Sequence, residues 1–336
     1  MCMEALQRYR IKIYQYLLFI VTSLIIFLTS DRYLTHQYYI DNDPSFSSLA
    51  FWEDNRTLQT GRPLPAPVIT NDKINLTNFT LVIAACCRNV EKHLPGFQKN
   101  VYAIGSLFQH YHLYLGESDS QDNTLKFIQD WANNDSKHVS IYTAGNQRLR
   151  LLLRTQRLAH CRNNLLQRAR TEMPSFDYYL VLDVDVTSSD TFSVNNFLSN
   201  FNYPLSSWAA MTASQSDRYY DIWALRTSPT VTFDFLERSR QVSIVPIAWG
   251  SVLKNLISRH FKGIPRDHPL IDVESAFGGA AIYSTRYLTD KCVYDGWRNY
   301  GLWFYREQCE HVSFNLCVRK NAGGGKFFIN PRFRAA

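Results

Sequence analysis

The chain has 336 residues, 46% of them hydrophobic and 14% aromatic, with a formal charge of +7. That length buries a substantial core and suits one α/β domain with an appendage better than two equal domains. The positive charge is dispersed, without a Lys/Arg run or a basic patch interleaved with aromatics. This excludes an evident nucleic-acid partner and leaves a polyanionic small molecule compatible with the charge balance.

Residues 13–30 carry no charge, and their core YLLFIVTSLIIFL is dense in Leu, Ile and Phe. At 1.5 Å per residue, roughly 18 residues span about 27 Å, enough for a thin bilayer. Arg8, Arg10 and Lys12 precede the apolar run. The positive-inside rule therefore places residues 1–12 in the cytosol, 13–30 as a transmembrane signal anchor, and the remainder in the secretory lumen. A cleaved signal peptide is the alternative, but no small-x-small site follows. Asn-x-Ser/Thr sequons begin at Asn55, Asn75, Asn78 and Asn134. Beyond Cys2 the cysteines are Cys86, Cys87, Cys161, Cys292, Cys309 and Cys317, none at zinc-finger spacing. The last three are the expected source of a disulfide, with the pair left open. Residues 31–78 are polar and broken by Pro44, Pro63, Pro65 and Pro67, the texture of a stem.

From 79 onward strands and helices alternate. FTLVIAACC (79–87) reads as a buried strand, and 94–108 as a helix with Phe97, Val101, Ile104 and Phe108 on one face. YHLYLGE (111–117) is a second strand ending in an acidic, serine-rich turn. Leu125, Ile128 and Trp131 mark a helix, HVSIYT (138–143) a third strand, and 151–170 a strongly basic helix. It feeds FDYYLVLDVDV (176–186), an apolar strand ending in Asp183 and Asp185. This order predicts a mostly parallel, Rossmann-like sheet flanked by helices. WAAMTAS (208–214), YYDIWALR (219–226) and AFGGAAIYS (276–284) read as strands of an appended, partly antiparallel half. Residues 252–261 and 310–319 read as helices, 323–325 as a glycine turn and 327–330 as a short strand.

Two carboxylates at the carboxyl end of a buried strand suit a hard divalent cation such as Mn²⁺ or Mg²⁺, itself able to hold a diphosphate. An Asp-rich turn closing the strand is the plain alternative. In RTQRLAHCRNN, Arg154, Arg157 and Cys161 share a helix side, with Arg162 following; arginines there can face a diphosphate or simply solvent. His311 in QCEHVSFN is a possible further metal ligand. Asp221 and Trp223 pair a carboxylate with an aromatic platform suited to a sugar ring. Glu274 precedes Gly278 and Gly279, which allow close backbone approach.

Taken in order, VIAACCRNVEKHL, GESDSQDNT, RTQRLAHCRN, LVLDVDV, YYDIWALR, SAFGGAAIY and CEHVSFN resemble a nucleotide-diphospho-sugar glycosyltransferase of the GT-A fold. The likeness is to the fungal capsule-associated α-1,3-mannosyltransferase-like group, glycosyltransferase family 69, and covers about residues 79–331, within a catalytic domain taken as 79–336. It implies a type II Golgi or endoplasmic reticulum membrane protein moving a hexose, mannose from GDP-mannose, onto a glycan or glycoconjugate acceptor. A UDP-sugar transferase and an inactive glycan-binding scaffold are the alternatives. Under the resemblance Asp183, Asp185 and His311 hold Mn²⁺ or Mg²⁺. Arg88 and Asn89 lie against the nucleotide, with Glu117 and Ser118 near base or ribose. Arg154, Arg157 and Arg162 stabilise the nucleotide-sugar donor, Asp221, Trp223, Gly278 and Gly279 shape the sugar and acceptor side, and Glu274 or Glu310 serves as base if the enzyme inverts.

Overall fold

The structure, a computed structural model, describes residues 11–30, 50–53, 69, 74–228, 231–242, 254, 256–258, 260–299 and 305–335. Arg8, Arg10, Asn55 and most of the expected stem lie outside the described residues, as do 252, 253, 255 and 259 of the expected helix 252–261, whose described residues 254 and 256–258 are helical. The chain forms two compact units, Met1–Leu49 with Phe233–Arg259, and Ala50–Thr232 with His260–Ala336. In the smaller unit the helix Ile11–Ser30 has a mean hydropathy of 2.0 and is long and apolar enough to cross a membrane. A second helix there covers Phe235–Val242.

The larger unit starts earlier than residue 79. Ala50 and Phe51 are buried, the Phe51 N–H donates to His260 Nδ1 at 3.0 Å, and Glu53 pairs with Lys262 at 3.1 Å. Part of the segment read as stem is thus tied into the folded body.

Among the described residues ten strands follow in chain order: β1 Thr80–Cys87, β2 His110–Glu117, β3 Val139–Thr143, β4 Tyr178–Leu182, β5 Ala210–Ser214, β6 Ile271–Asp272, β7 Ala280–Ser284, β8 Trp297–Asn299, β9 Tyr305–Glu307 and β10 Phe327–Arg334. The helices of this unit are α1 Leu94–Gly105, α2 Thr124–Asn134, α3 Arg154–Glu172, α4 Val184–Thr187, α5 Val194–Leu198 and α6 Glu310–Asn321. Eight strands make one sheet in the order β3-β2-β1-β4-β7-β5-β10-β6, and β8 pairs with β9 apart from it. The first four run parallel; β7 runs antiparallel to both β4 and β5, while β10 is parallel to β5. This is the mixed α/β sheet expected, a parallel half with an appended, partly antiparallel half. Every residue of β4 and β5 is buried, as an interior strand covered on both faces requires.

Two expectations change. YYDIWALR is not a strand: 222–224 form a turn, and Arg226 and Thr227 make only isolated bridges to Ser275 and Val231. Its apolar residues Ile222, Ala224 and Leu225 are buried in an irregular segment, which reads like a strand by composition alone. The last strand is twice the expected length, because β10 changes register between Ile329 and Arg334 and continues beyond Pro331.

The cysteines pair as Cys292–Cys317 and Cys86–Cys161, leaving Cys87 and Cys309 as buried thiols. The first bridge selects one pair from the expected three. The second, joining β1 to α3 over 75 residues of sequence, has no local signal. Adjacent strand side chains face opposite ways, so Cys86 meets α3 while Cys87 enters the core, where burial and Glu117 push its thiol up. Non-reducing peptide mapping should recover these two bridges, with Cys87 and Cys309 alkylated only after denaturation. By loop-closure entropy, Ser substitutions opening the shorter and longer loops should cost about 3.5 and about 4.5 kcal/mol in denaturant unfolding.

Candidate functional site

After β3 the chain returns through α3 to the opposite side of β1, so strand order reverses between β1 and β4. Ligands of open α/β sheets bind in the crevice at such a switch point, outside the carboxyl ends of the strands. A pocket of about 480 Å³ lies there, within the range of small-molecule sites. One wall carries Arg88, Asn89 and Ser118 from the loops after β1 and β2. A second carries Arg154, Arg157 and the Cys86–Cys161 bridge, and the third carries Asp183, Asp185 and Tyr220.

The loop after β1 is held open by hydrogen bonds across to the loop after β2. Asn89 adopts φ +51°, its N–H donates to Ser120 Oγ, and its Oδ1 accepts the Gln121 N–H at 2.7 Å. Asn tolerates this left-handed conformation better than most residues. Arg88 leaves its Nε buried with no hydrogen-bond partner, an unsatisfied donor at a pocket wall. Glu117 differs from expectation: it is buried, and its carboxylate accepts the Ser120 N–H at 3.0 Å, so it shapes the turn from outside the pocket lining.

Helix periodicity sorts the three arginines of α3. Thr155, Ala159, Arg162 and Leu166 form its buried stripe, whereas Arg154, Arg157, Leu158 and Cys161 face the pocket. Arg154 is exposed and, among the described residues, makes no side-chain hydrogen bond or ion pair. Arg157 spends Nη1 on the carbonyls of Leu151 and Leu152, pinning the segment before the helix. Arg162 is a correction to the expected donor contact. It is 4% exposed, donates Nη2 to Asp183 Oδ1 at 2.9 Å and Nη1 to Glu310 Oε1, and lies over the rings of Phe277 and Tyr294.

Asp183 follows β4 and opens the short helix α4, which carries Asp185 into the same pocket. Burial lifts the Asp183 carboxyl to about 6, opposed by Arg162 and reinforced by Asp185 and Asp221. The glycine pair secures this corner. Gly279, at φ +84°, accepts the Asp183 N–H at 2.9 Å, and a Cβ there would stand 2.5 Å from Val186 Cγ1. Gly278 donates its N–H to Asp221 Oδ2 at 3.1 Å and its carbonyl accepts Gln215 Nε2; a Cβ would come within 2.1 Å of the Ala213 carbonyl. Gly278, Gly279 and Asp221 therefore brace the acidic pair rather than line the pocket. Trp223 and Glu274 also stand outside the lining.

The remaining expectations are corrected by α6. Glu310 is 4% exposed and neutralised by Arg162, so it is not a free base. The next residue, His311, is turned onto Phe277 with ring centroids 3.8 Å apart, and neither of its nitrogens has a hydrogen-bond partner, Nε2 standing 3.9 Å from Glu310 Oε1. Burial, then Arg162, holds its pKa well below the usual histidine range. Among the described residues no three His, Cys, Asp or Glu side chains converge on a metal position, so His311 does not complete a set with Asp183 and Asp185. The two aspartates fit a hard cation that takes its other ligands from a diphosphate and water.

Tyr220 was missed in the sequence, where its neighbour Asp221 drew attention instead. Its phenol lines the pocket beside Gly279, and burial, with Asp183, Asp221 and Asp185, pushes its pKa far up, keeping it a donor.

No protein-family model matches the chain, and no curated protein matches it. Among solved structures, it is similar to a mannosyltransferase from Pyrobaculum calidifontis in complex with GDP-Man and Mn²⁺ (12% identity, 91% of this chain and 66% of that one, TM-score 0.42). It is also similar to S. aureus TarS 1-349 in complex with UDP-GlcNAc (11%, 74% and 55%, 0.39). A third is the glucosyl-3-phosphoglycerate synthase of Mycobacterium tuberculosis in complex with UDP (11%, 80% and 77%, 0.37). The chain spans less than two thirds of the first two. Similarities of this size do not assign an activity.

The three arginines should separate experimentally. Arg162→Met strands buried carboxylates and should cost about 3–5 kcal/mol, lowering Tm by roughly 10 °C in a thermal melt. Arg154→Ala should leave Tm within about 2 °C, since exposed, unpaired positions change stability by about 0.5 kcal/mol or less.

Proposed function

We propose that the larger unit is a metal-dependent glycosyltransferase moving a hexose from a nucleotide sugar to a glycan or glycoconjugate. GDP-mannose and an α-1,3 linkage are the first reading, and a UDP-sugar donor the second. One observation carries the proposal: a single pocket at the β1/β4 switch point sets Asp183 and Asp185 opposite Arg88, Arg154 and Arg157. Few small molecules need a cation site and several guanidinium groups in one crevice. A diphosphate does.

A divalent cation held by Asp183 and Asp185 would supply Lewis acidity to the leaving diphosphate. Arg88 and Arg154 bind phosphate oxygens with guanidinium donors not committed to protein carboxylates. Tyr220 adds a neutral O–H beside the acidic pair, and Arg162 holds Asp183 in place from beneath. Asn89 and Ser118 present polar groups where the nucleoside would lie. No base is assigned, because Glu310 is neutralised and Glu274 stands outside the pocket lining.

We further infer a single-pass type II topology, with residues 1–12 cytosolic, the helix near the amino terminus as anchor and the larger unit in a secretory lumen such as the Golgi or endoplasmic reticulum. Two disulfides in that unit support an oxidising compartment. The sequon asparagines Asn75, Asn78 and Asn134 are exposed, as oligosaccharide attachment requires.

A panel of GDP- and UDP-sugars with Mn²⁺, read by thermal shift and by donor hydrolysis, tests the donor assignment. One donor should stabilise the protein only when metal is present; silence from every donor refutes the transferase reading. Asp185→Asn, at an exposed position, should preserve Tm and lower kcat/KM by at least about 100-fold. Endoglycosidase treatment of the protein expressed in a eukaryotic secretory pathway should increase its electrophoretic mobility. An unchanged band argues against a lumenal domain.

A further inference from the structure

A second group of arginines lies outside the pocket just described, where residues 260–270 meet α5 and the irregular end of β10. Arg334 is buried there, and its donors reach only carbonyls, those of Gln215 and, at 2.6 Å, Ile264. Arg266 donates Nη2 to Asn196 Oδ1 at 2.7 Å. Arg332 makes no side-chain hydrogen bond or ion pair among the described residues. None of the ion pairs among the described residues involves any of the three. Burial, then the nearby Arg266, lowers the pKa of Arg334, so these cations repel one another. Buried or crowded cations without counter-charge are costly, and a bound anion removes that cost.

Arg266 and Arg332 line a cavity of about 380 Å³ with Asn195, Ser199, Asn202 and a single acid, Asp267. The guanidinium forks, with amide and hydroxyl groups beside them, match an oxyanion rather than an apolar ligand. β4 and β5 are both antiparallel to β7, and β10 is parallel to β5, so β10 ends on the same sheet edge as the switch-point pocket. Three strand steps, β4 to β7 to β5 to β10, separate them, roughly 14 Å at about 4.8 Å per strand. That spacing calls for a group other than the donor diphosphate.

We propose that this cavity is a second anion site, taking the carboxylate, sulfate or phosphate group of an acidic saccharide acceptor. The acceptor role rests on the transferase reading, whereas anion binding at Arg266 and Arg332 does not. Glucuronic acid, glucose 6-sulfate, inorganic phosphate and neutral glucose would be titrated calorimetrically against the full chain in detergent. The acids should bind and glucose should not. Arg332→Gln, at a side chain with no protein partner, should weaken acid binding at least tenfold with Tm unchanged, while Asp185→Asn leaves it intact. No acid binding by the wild type, equal binding by Arg332→Gln, or loss in Asp185→Asn would each overturn the proposal. If acid binding depends on Arg332 but no nucleotide sugar binds, the donor assignment fails and the anion site stands.

Discussion

A buried guanidinium holds the centre of this protein together. Arg162 reaches from α3 to the first aspartate after β4 and to the first residue of α6, so three elements distant in sequence meet on one cation. Such a group is a poor source of net stability, because desolvation offsets most of its attraction to the two carboxylates. Its consequence is positional. Asp183 is fixed at the pocket wall, with Oδ1 held by Arg162. A lysine could not replace it, since a point charge lacks the planar fork that reaches two acids at once.

The glycine pair before β7 answers the same demand from the other side. The Asp183 N–H donates to the carbonyl of Gly279, and Asp221 is tied by the N–H of Gly278. Both glycines have φ near +66° to +84°, and both lack room for a Cβ. Two independent constraints, conformational and steric, thus converge on the corner where the acidic pair leaves the strand. The disulfide from Cys86 to Cys161 acts in parallel, holding the pocket face of α3 against β1. Gly116 makes this possible, because a Cβ there would sit 2.4 Å from Cys161 Sγ.

What the sequence revealed follows from the range of the interactions involved. Strand and helix periods are local, so the order of elements in the parallel half was legible, although the strand read as 176–186 covers only Tyr178–Leu182 and Asp185 rides on α4 beyond it. Short motifs next to that strand, Arg88, Asn89, Ser118, Arg154 and Arg157, also reached the pocket, because β1, β2 and α3 deliver them to one edge. Failures arose where a residue's role depends on a distant partner. Arg162 looked equivalent to Arg154, but its place on the buried stripe of α3 sets it against Glu310. His311 looked like a ligand because imidazole suits such a cation and the resemblance implies it, yet its ring stacks on Phe277. Tyr220 carried no signal beyond being one of twenty tyrosines.

If the pocket holds a nucleotide sugar as proposed, its charge favours the products of bond breaking over the intact donor. Arg88, Arg154 and Arg157 against Asp183 and Asp185 leave a lining with an excess of one positive charge, and a cation on the aspartates raises it further. A nucleoside diphosphate gains negative charge as its sugar departs, so these groups interact more strongly late in the reaction than early. Only such differential binding accelerates a chemical step. The guanidiniums are preorganised for it: Arg157 is pinned by two carbonyls, and the α3 helix is clamped by the disulfide at Cys161 and by the adjacent Arg162. Little reorganisation is then left to oppose the charge as it develops, which is the condition under which fixed dipoles and ions are most effective.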